Sequence, residues 1–204
     1  KVVMDYNPII ASNMDGVGTF SMARAMCQYG ASTAIVKHYT LEQWIQFINE
    51  CLNEDHIEPI THSYISTGIS QDDYKLTSSI IREIKQRTGQ TANICVDVAN
   101  GYMQQFYDFV AKLRDQNPHS IIMAGSVVTP KAVTKLEAAG ANLIKVGIGS
   151  GAVCTTRIKT GIGYPQFSAV MECVEACNKS DIVADGGITN PGDICKALGA
   201  GAKY

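Results

Sequence analysis

At 204 residues the chain is long enough for one sizeable core but shorter than the roughly 250 residues of a complete β/α barrel, and 46% hydrophobic with 18% charged residues excludes disorder, collagen-like and coiled-coil repeats. A formal charge of −2, with lysines and arginines scattered rather than striped, gives no footprint for a nucleic acid polymer, so any nucleotide ligand is expected to be small. The apolar runs are strand-sized, well short of the ~20 residues that span a bilayer, and Lys1–Tyr6 lack the apolar core of a signal peptide, so a cytoplasmic protein with no membrane partner is expected.

In chain order, short β-branched runs alternate with amphipathic stretches. Strands are predicted at Pro8–Ser12, Ser32–Lys37, His62–Ser66, Asn93–Val98, Ser120–Gly125, Asn142–Val146 and Asp181–Ala184. Between them helices are predicted at Thr19–Gln28, Leu41–Leu52, Gln71–Gln86, Met103–Asp115, Pro130–Ala138, Gln166–Ala176 and Pro191–Leu198. Pro130 and Pro191 open helices, and Gly30, Gly140 and Gly199 are expected to close them. Ala202–Tyr204 reads as the start of an eighth strand. The repeat, roughly 25 to 30 residues per unit, is that of β/α units with a parallel sheet in one α/β domain over residues 1–204. Periodicity alone leaves a doubly wound open sheet and a (β/α)8 TIM barrel equally open. Motifs that follow the ends of many different strands favour the barrel, whose chemistry sits at the C-terminal face.

The seven cysteines are odd in number and contain no C-x-x-C pair, which argues against a zinc site or disulfide scaffold and fits a reducing compartment. One of them, Cys154, stands at the centre of a long Gly-rich loop, GIGSGAVCTTRIKTGIGYP, between Val146 and Gln166. Structureless loops of that length in a compact domain are usually functional or disordered. Gly147, Gly149 and Gly151 are expected to adopt positive φ and present backbone groups to a phosphate or cation, while Thr155, Thr156 and Arg157 bring hydroxyls and a charge that favours a thiolate. The residues alone make this a nucleophile loop or an ordinary flexible βα loop. Asp185 before two glycines is equally a turn residue, His38, His56, His62 and His119 form no spaced ligand set, and Trp44 is expected to be core.

The loop resembles the catalytic loop of the IMP dehydrogenase and GMP reductase family. So do PIIASNMDGVGTFSMA at Pro8–Ala23, CVDVANGY at Cys95–Tyr102, AGSVVT at Ala124–Thr129 and DGG at Asp185–Gly187, in order along nearly the whole chain. VKHYTLEQW at Val36–Trp44 and CVDVANGY favour the reductase branch. The resemblance implies a (β/α)8 barrel oxidoreductase that reduces GMP to IMP and ammonia with NADPH. Cys154 would be the nucleophile at C2 of the purine, Thr156 the proton donor or acceptor, and Lys37 a third catalytic residue that also serves the cofactor. Lys37, Asp97, Val98, Ala99, Ile148, Gly149 and the weaker candidate Thr67 would take the cofactor, and Asp185, Gly186 and Gly187 the nucleotide's ribose and phosphate. Carbonyls of Gly149, Gly151, Cys154 and Arg157 would hold a monovalent cation, K+, and a homotetramer is implied.

Three positions depart from the family pattern. Ala152 lacks a hydroxyl that would bond phosphate, Ser126 stands where Asn is usual and reaches less far, and Ser150 replaces a Pro and is expected to loosen the loop. Further phosphate-binding glycines, a flap and an acidic residue fall beyond Tyr204 in the family pattern, so the sequence is expected to be a truncated barrel with unpaired strand edges, poorly folded or inactive by itself. An IMP dehydrogenase, or a nucleotide-binding paralogue that has lost catalysis, are the alternatives.

Overall fold

The computed structural model describes residues 7–204; Lys1–Tyr6, and with them the expectation about a leader, lie outside the described residues. The described chain divides into two compact units, one of residues 7–97 with Asn117–Ile121, the other of Val98–Gln116 with Ile122–Tyr204.

The first unit carries β1 (Ile10–Ala11), α1 (Phe20–Cys27), β2 (Ser32–Ile35), α2 (Leu41–Asn53), α3 (Glu58–Thr61), β3 (Ser63–Thr67), α4 (Gln71–Thr88) and β4 (Asn93–Asp97). Its four strands pair in parallel and in chain order. The second carries α5 (Gln104–Gln116), β5 (Ile122–Val127), α6 (Pro130–Ala138), β6 (Leu143–Val146), α7 (Thr156–Thr160), α8 (Gln166–Ala176), β7 (Asp181–Ala184) and α9 (Pro191–Gly199), again with parallel strands in chain order. Parallel neighbours need a crossover, which the helices supply. A doubly wound sheet reverses its strand order at a switch point. Neither unit contains such a reversal, and sequential order is what a barrel requires. Lys203 donates its N–H to the Ile182 carbonyl and Ala184 to that of Tyr204, both at 2.8 Å, so Ala202–Tyr204 lies beside β7.

Local chemistry accounts for where the helices begin. Thr40 and Gln43 close a capping box at α2, and Ser70 and Asp73 close one at α4, each satisfying two N–H groups that a helix start leaves orphaned. In the first unit Ile35 and Ile65 share a core with Trp44, Phe47 and Ile48 of α2 and Ile80 and Ile84 of α4, so Trp44, 2% exposed, is a core residue as expected. Phe20 stacks on Phe47 with centroids 4.3 Å apart, and the Arg24 guanidinium lies over the Phe47 ring while reaching Glu50 and Glu54. In the second unit α8 packs on β6 and β7, and α6 on β5 and α8.

The differences from expectation have local causes. The short helices α3 and α7 carry too few residues to show a period. β5 starts two residues late because Ser120 closes a turn onto the Asn117 carbonyl, and Ile122 is the residue whose N–H meets the Asn142 side chain. Gly30 and Gly140 take the left-handed conformation expected of them, whereas Gly199 ends within α9 and the left-handed residue is Gly201.

Glu137, at the end of α6, ties the turn before β7: one carboxylate oxygen accepts N–H bonds from Asn178, Lys179 and Ser180 at 2.9, 2.6 and 2.7 Å. Burial pushes this carboxyl up, and the N–H bonds led by that of Ser180 outweigh it, so its pKa lies below the ordinary value. A depressed carboxyl contributes stability above the unfolded pKa that is lost as pH falls through the folded one. Glu137→Ala is expected to cost about 1–3 kcal/mol at pH 7, at the low end because Asn178 and Lys179 are exposed. Urea melts of the two proteins should converge as pH drops through the folded pKa; a gap independent of pH contradicts this account.

Candidate active site

The chain leaves β6 at Val146 into the long loop, which is ordered by its own backbone. Cys154 donates its N–H to the Gly151 carbonyl at 3.0 Å, Lys159 to Thr155 at 2.8 Å, and Tyr164 to Ile148 at 3.1 Å. α7 winds Thr156 back over the cysteine, so that Cys154 Sγ lies 3.3 Å from Thr156 Oγ1. The Thr156 hydroxyl lowers the thiol pKa most, followed by the Thr156 N–H; partial burial opposes them, and the Gly149 N–H and the Arg157 charge add smaller contributions. Three other cysteines go the opposite way. Burial pushes Cys51 up to about 11 and Cys173 and Cys177 up to about 12. Since the thiolate is the nucleophile, this contrast sets Cys154 apart from those three. Arg157 is exposed, and its aliphatic stem lies against Gly149 and Gly163.

Of the three loop glycines expected at positive φ, only Gly149, at +74°, uses the left-handed region; Gly151 does not, and Gly147 at +159° is nearly extended. What Gly147 supplies is space: a Cβ there would overlap the Asp185 carbonyl oxygen. The loop and the turn after β7 are therefore in direct backbone contact. Asp185 donates its N–H to the Val146 carbonyl at 2.9 Å, and Gln166 Nε2 donates to the same carbonyl at 2.7 Å. Gly186 and Gly187, at φ +80° and +76°, turn the chain in a way that side-chain-bearing residues rarely adopt.

Two departures from the family pattern meet at this turn. The Ser150 hydroxyl donates to the Asp185 carbonyl at 2.8 Å, so the residue expected to loosen the loop binds it to the turn instead. The Ser126 hydroxyl, at the end of β5, donates to Asp185 Oδ2 at 3.2 Å, and Lys145 Nζ of β6 lies 3.2 Å from the same oxygen. Lys145, 6% exposed, is a residue that sequence reasoning missed. A lysine inside the otherwise apolar strand LIKV was the available signal, since a buried lysine requires a partner. Tyr102 was also missed in this role: its hydroxyl accepts the Val128 N–H at 3.0 Å and fixes the segment after β4 against the end of β5. Ala152, without a hydroxyl, sits exposed in the turn before Cys154.

The residues expected on the cofactor side fall in both units. Lys37 is exposed just after β2 and Asp97 closes β4. Thr67 is 1% exposed, with its hydroxyl donating to the Gly68 carbonyl at 3.1 Å. Val98 exchanges N–H bonds with Gly125 and Ser126, Ala99 is exposed, and Ile148 is half-buried beside Gly149. Among the described residues no group of three His, Cys, Asp or Glu side chains is placed to hold a metal, and no helix is long and apolar enough to cross a membrane.

The chain is similar to known proteins along nearly its whole length. Residues 2–204 match the family model described as the IMP dehydrogenase / GMP reductase domain. GMP reductase of Aeromonas salmonicida is 48% identical over 201 residues and human GMP reductase 2 is 49% identical over 199, in both cases covering 97% of this chain and 55% of the relative. The crystal structure of inosine 5' monophosphate dehydrogenase from Legionella pneumophila superposes with a TM-score of 0.83 at 34% identity, over 97% of this chain and 56% of that one. The chain thus spans about half the length of the curated relatives it matches.

Proposed function

The chain belongs to the IMP dehydrogenase / GMP reductase family, and from that premise we propose that the protein carries out the NADPH-dependent reductive deamination of GMP to IMP and ammonia. The observation that carries the reading is the Cys154–Thr156 pair, a thiol held toward its ionised form beside a hydroxyl able to hold a proton. Identities of 48% and 49% to GMP reductases, against 34% to the dehydrogenase structure, favour the reductase direction.

In this reading the Cys154 thiolate adds to C2 of the guanine ring, the 2-amino group takes up protons and leaves as ammonia, and a thioimidate joins Sγ to C2. Covalent capture divides one difficult substitution into two easier steps. When bound, NADPH supplies the hydride that C2 gains as the thiolate departs. Thr156 holds or relays the proton at Sγ. Asp185 accepts hydrogen bonds from ribose hydroxyls, and the left-handed turn at Gly186 and Gly187 leaves backbone N–H groups for the phosphate. Lys37 is exposed, which suits a cofactor phosphate or a catalytic role; Asp97, Val98, Ala99, Ile148 and Gly149, with Thr67 as the weaker candidate, complete the cofactor side. The carbonyls of Gly149, Gly151, Cys154 and Arg157 are uncharged oxygen donors that suit K+. Those of Gly151 and Arg157 accept N–H bonds from Cys154 and Gly161, and each keeps a second lone pair. Seven free cysteines accord with a cytoplasmic setting, and the family resemblance implies a homotetramer.

The test is loss of NADPH absorbance with GMP and the intact protein, with ammonia measured in parallel. Equal amounts of ammonia and oxidised cofactor are expected. Turnover with IMP and NAD but not with GMP makes the protein a dehydrogenase, and GMP binding without turnover makes it a paralogue that has lost catalysis.

A further inference from the structure

We infer that Lys145 is the positioning residue by which the site distinguishes ribonucleotides from deoxyribonucleotides; this rests on the reading of Asp185 as the ribose-binding carboxylate. Lys145 and Leu143 project from the same side of β6, and the register sets Leu143 opposite Asp181 and Lys145 opposite Val183. The lysine therefore reaches one pleat further, to the carboxylate that follows the end of β7. Nζ and the Ser126 hydroxyl converge on Oδ2 at 3.2 Å each, and no described residue donates to Oδ1. The Ser150 bond to the Asp185 carbonyl fixes the backbone of the same residue. Asp185 is thus held through one carboxylate oxygen, its carbonyl and its N–H. Its second carboxylate oxygen is left as an acceptor on a side chain 29% exposed.

A lysine 6% exposed is a costly way to fill space, because an apolar side chain of similar volume would serve stability as well. What the ammonium adds is a fixed orientation of the acceptor. An acceptor fixed in place rewards a ligand that brings a hydroxyl to it, and a ligand lacking that hydroxyl leaves the carboxylate desolvated and unpaired. The ligand difference this geometry reads is the 2'-hydroxyl of a purine nucleoside monophosphate. Ser126 acts on the same oxygen, so it should support the same discrimination less strongly.

The experiment is calorimetric titration of the intact protein with GMP and with 2'-deoxy-GMP, without NADPH, for wild type, Lys145→Met, Lys145→Arg and Ser126→Ala, with thermal melts of each. Wild type is expected to favour GMP by roughly tenfold to a hundredfold, the range of a hydrogen bond to a charged group. Lys145→Met should narrow that ratio to about threefold or less, Ser126→Ala should give an intermediate ratio, and Lys145→Arg should recover most of it. Loss of affinity for both ligands in equal proportion is what a merely structural lysine gives, and it overturns the proposal, as does an unchanged ratio in Lys145→Met. If Lys145→Met does not fold, Ser126→Ala decides alone, and a full wild-type ratio there counts against the proposal. A wild type that binds GMP without preference over the deoxy compound also refutes it. A wild type that binds neither removes the nucleotide reading itself.

Discussion

Cys154→Ala is expected to abolish NADPH consumption with GMP, a loss on the order of a thousandfold or more, while the melting curve hardly moves. The size follows from removal of the nucleophile, whose partners do not work without it. The small structural effect follows from position: Cys154 stands in a surface loop, and such substitutions usually stay within about 0.5 kcal/mol. Thr156→Ala keeps the thiol and removes the hydroxyl 3.3 Å away, so turnover should fall by about a hundredfold or more, the range of one lost acid–base partner. A second readout needs no turnover. Alkylation of the free thiol follows the thiolate fraction, and the Thr156 hydroxyl is the largest contribution holding that thiol low, so in Thr156→Ala the rise of alkylation rate with pH should move upward. A lowered thiol pKa makes wild type reactive at lower pH, and losing the Thr156 hydroxyl takes reactivity away at neutral pH. Cys51, Cys173 and Cys177, pushed up to about 11, 12 and 12 by burial, should stay silent over the range in which Cys154 reacts. Alkylation that is unchanged in Cys154→Ala, or turnover that survives it, removes this cysteine from the chemistry.

Much of this arrangement could be read in the sequence, for a reason visible in particular residues. Val146, Cys154 and Asp185 fall at the ends of strands or just beyond, and strands with β-branched residues on both faces announce themselves by composition. Parallel register then puts residues that follow adjacent strands at one end of the sheet, so a motif after β6 and a motif after β7 meet without further instruction. What could not be read was how side chains are shared between those motifs. The substitution of Ser for Pro at position 150 looked like lost rigidity, because its effect depends on a carbonyl 35 residues later in the chain. Ser126 looked too short, yet its hydroxyl reaches Asp185 Oδ2 at 3.2 Å. Lys145 was hidden by its neighbours: a single charge in an apolar tetrapeptide shows its purpose only once the partner carboxylate is placed. Short α7 was hidden as well, although it is what brings Thr156 onto Sγ.

The contact between loop and turn makes Gly147→Ala the second large effect, and one that separates position from chemistry, since no reacting group is altered. The new methyl would occupy the place of the Asp185 carbonyl oxygen, with Ser150 Oγ also close by. Backbone cannot swing aside as the end of a flexible side chain does, so either the start of the loop or the Asp185 turn must move. Overpacking of this kind costs about 1–3 kcal/mol of stability. Its functional cost should be larger, because the nucleophile loop and the nucleotide turn are displaced relative to each other, and misplacement by roughly 1 Å can cost about a hundredfold in rate. GMP affinity and adduct formation should both fall while Cys154 keeps its alkylation profile, since Thr156 and the thiol travel together on the loop. Gly89→Ala is the matched comparison. Gly89 closes α4 at φ +69° with nothing within 4 Å of the added methyl, so that variant bears only the left-handed strain, about 1 kcal/mol, and should turn over GMP like wild type. Equal turnover in the two variants would mean that the loop and the turn accommodate a methyl between them, and that the spacing from Gly147 to Asp185 does not set the catalytic geometry.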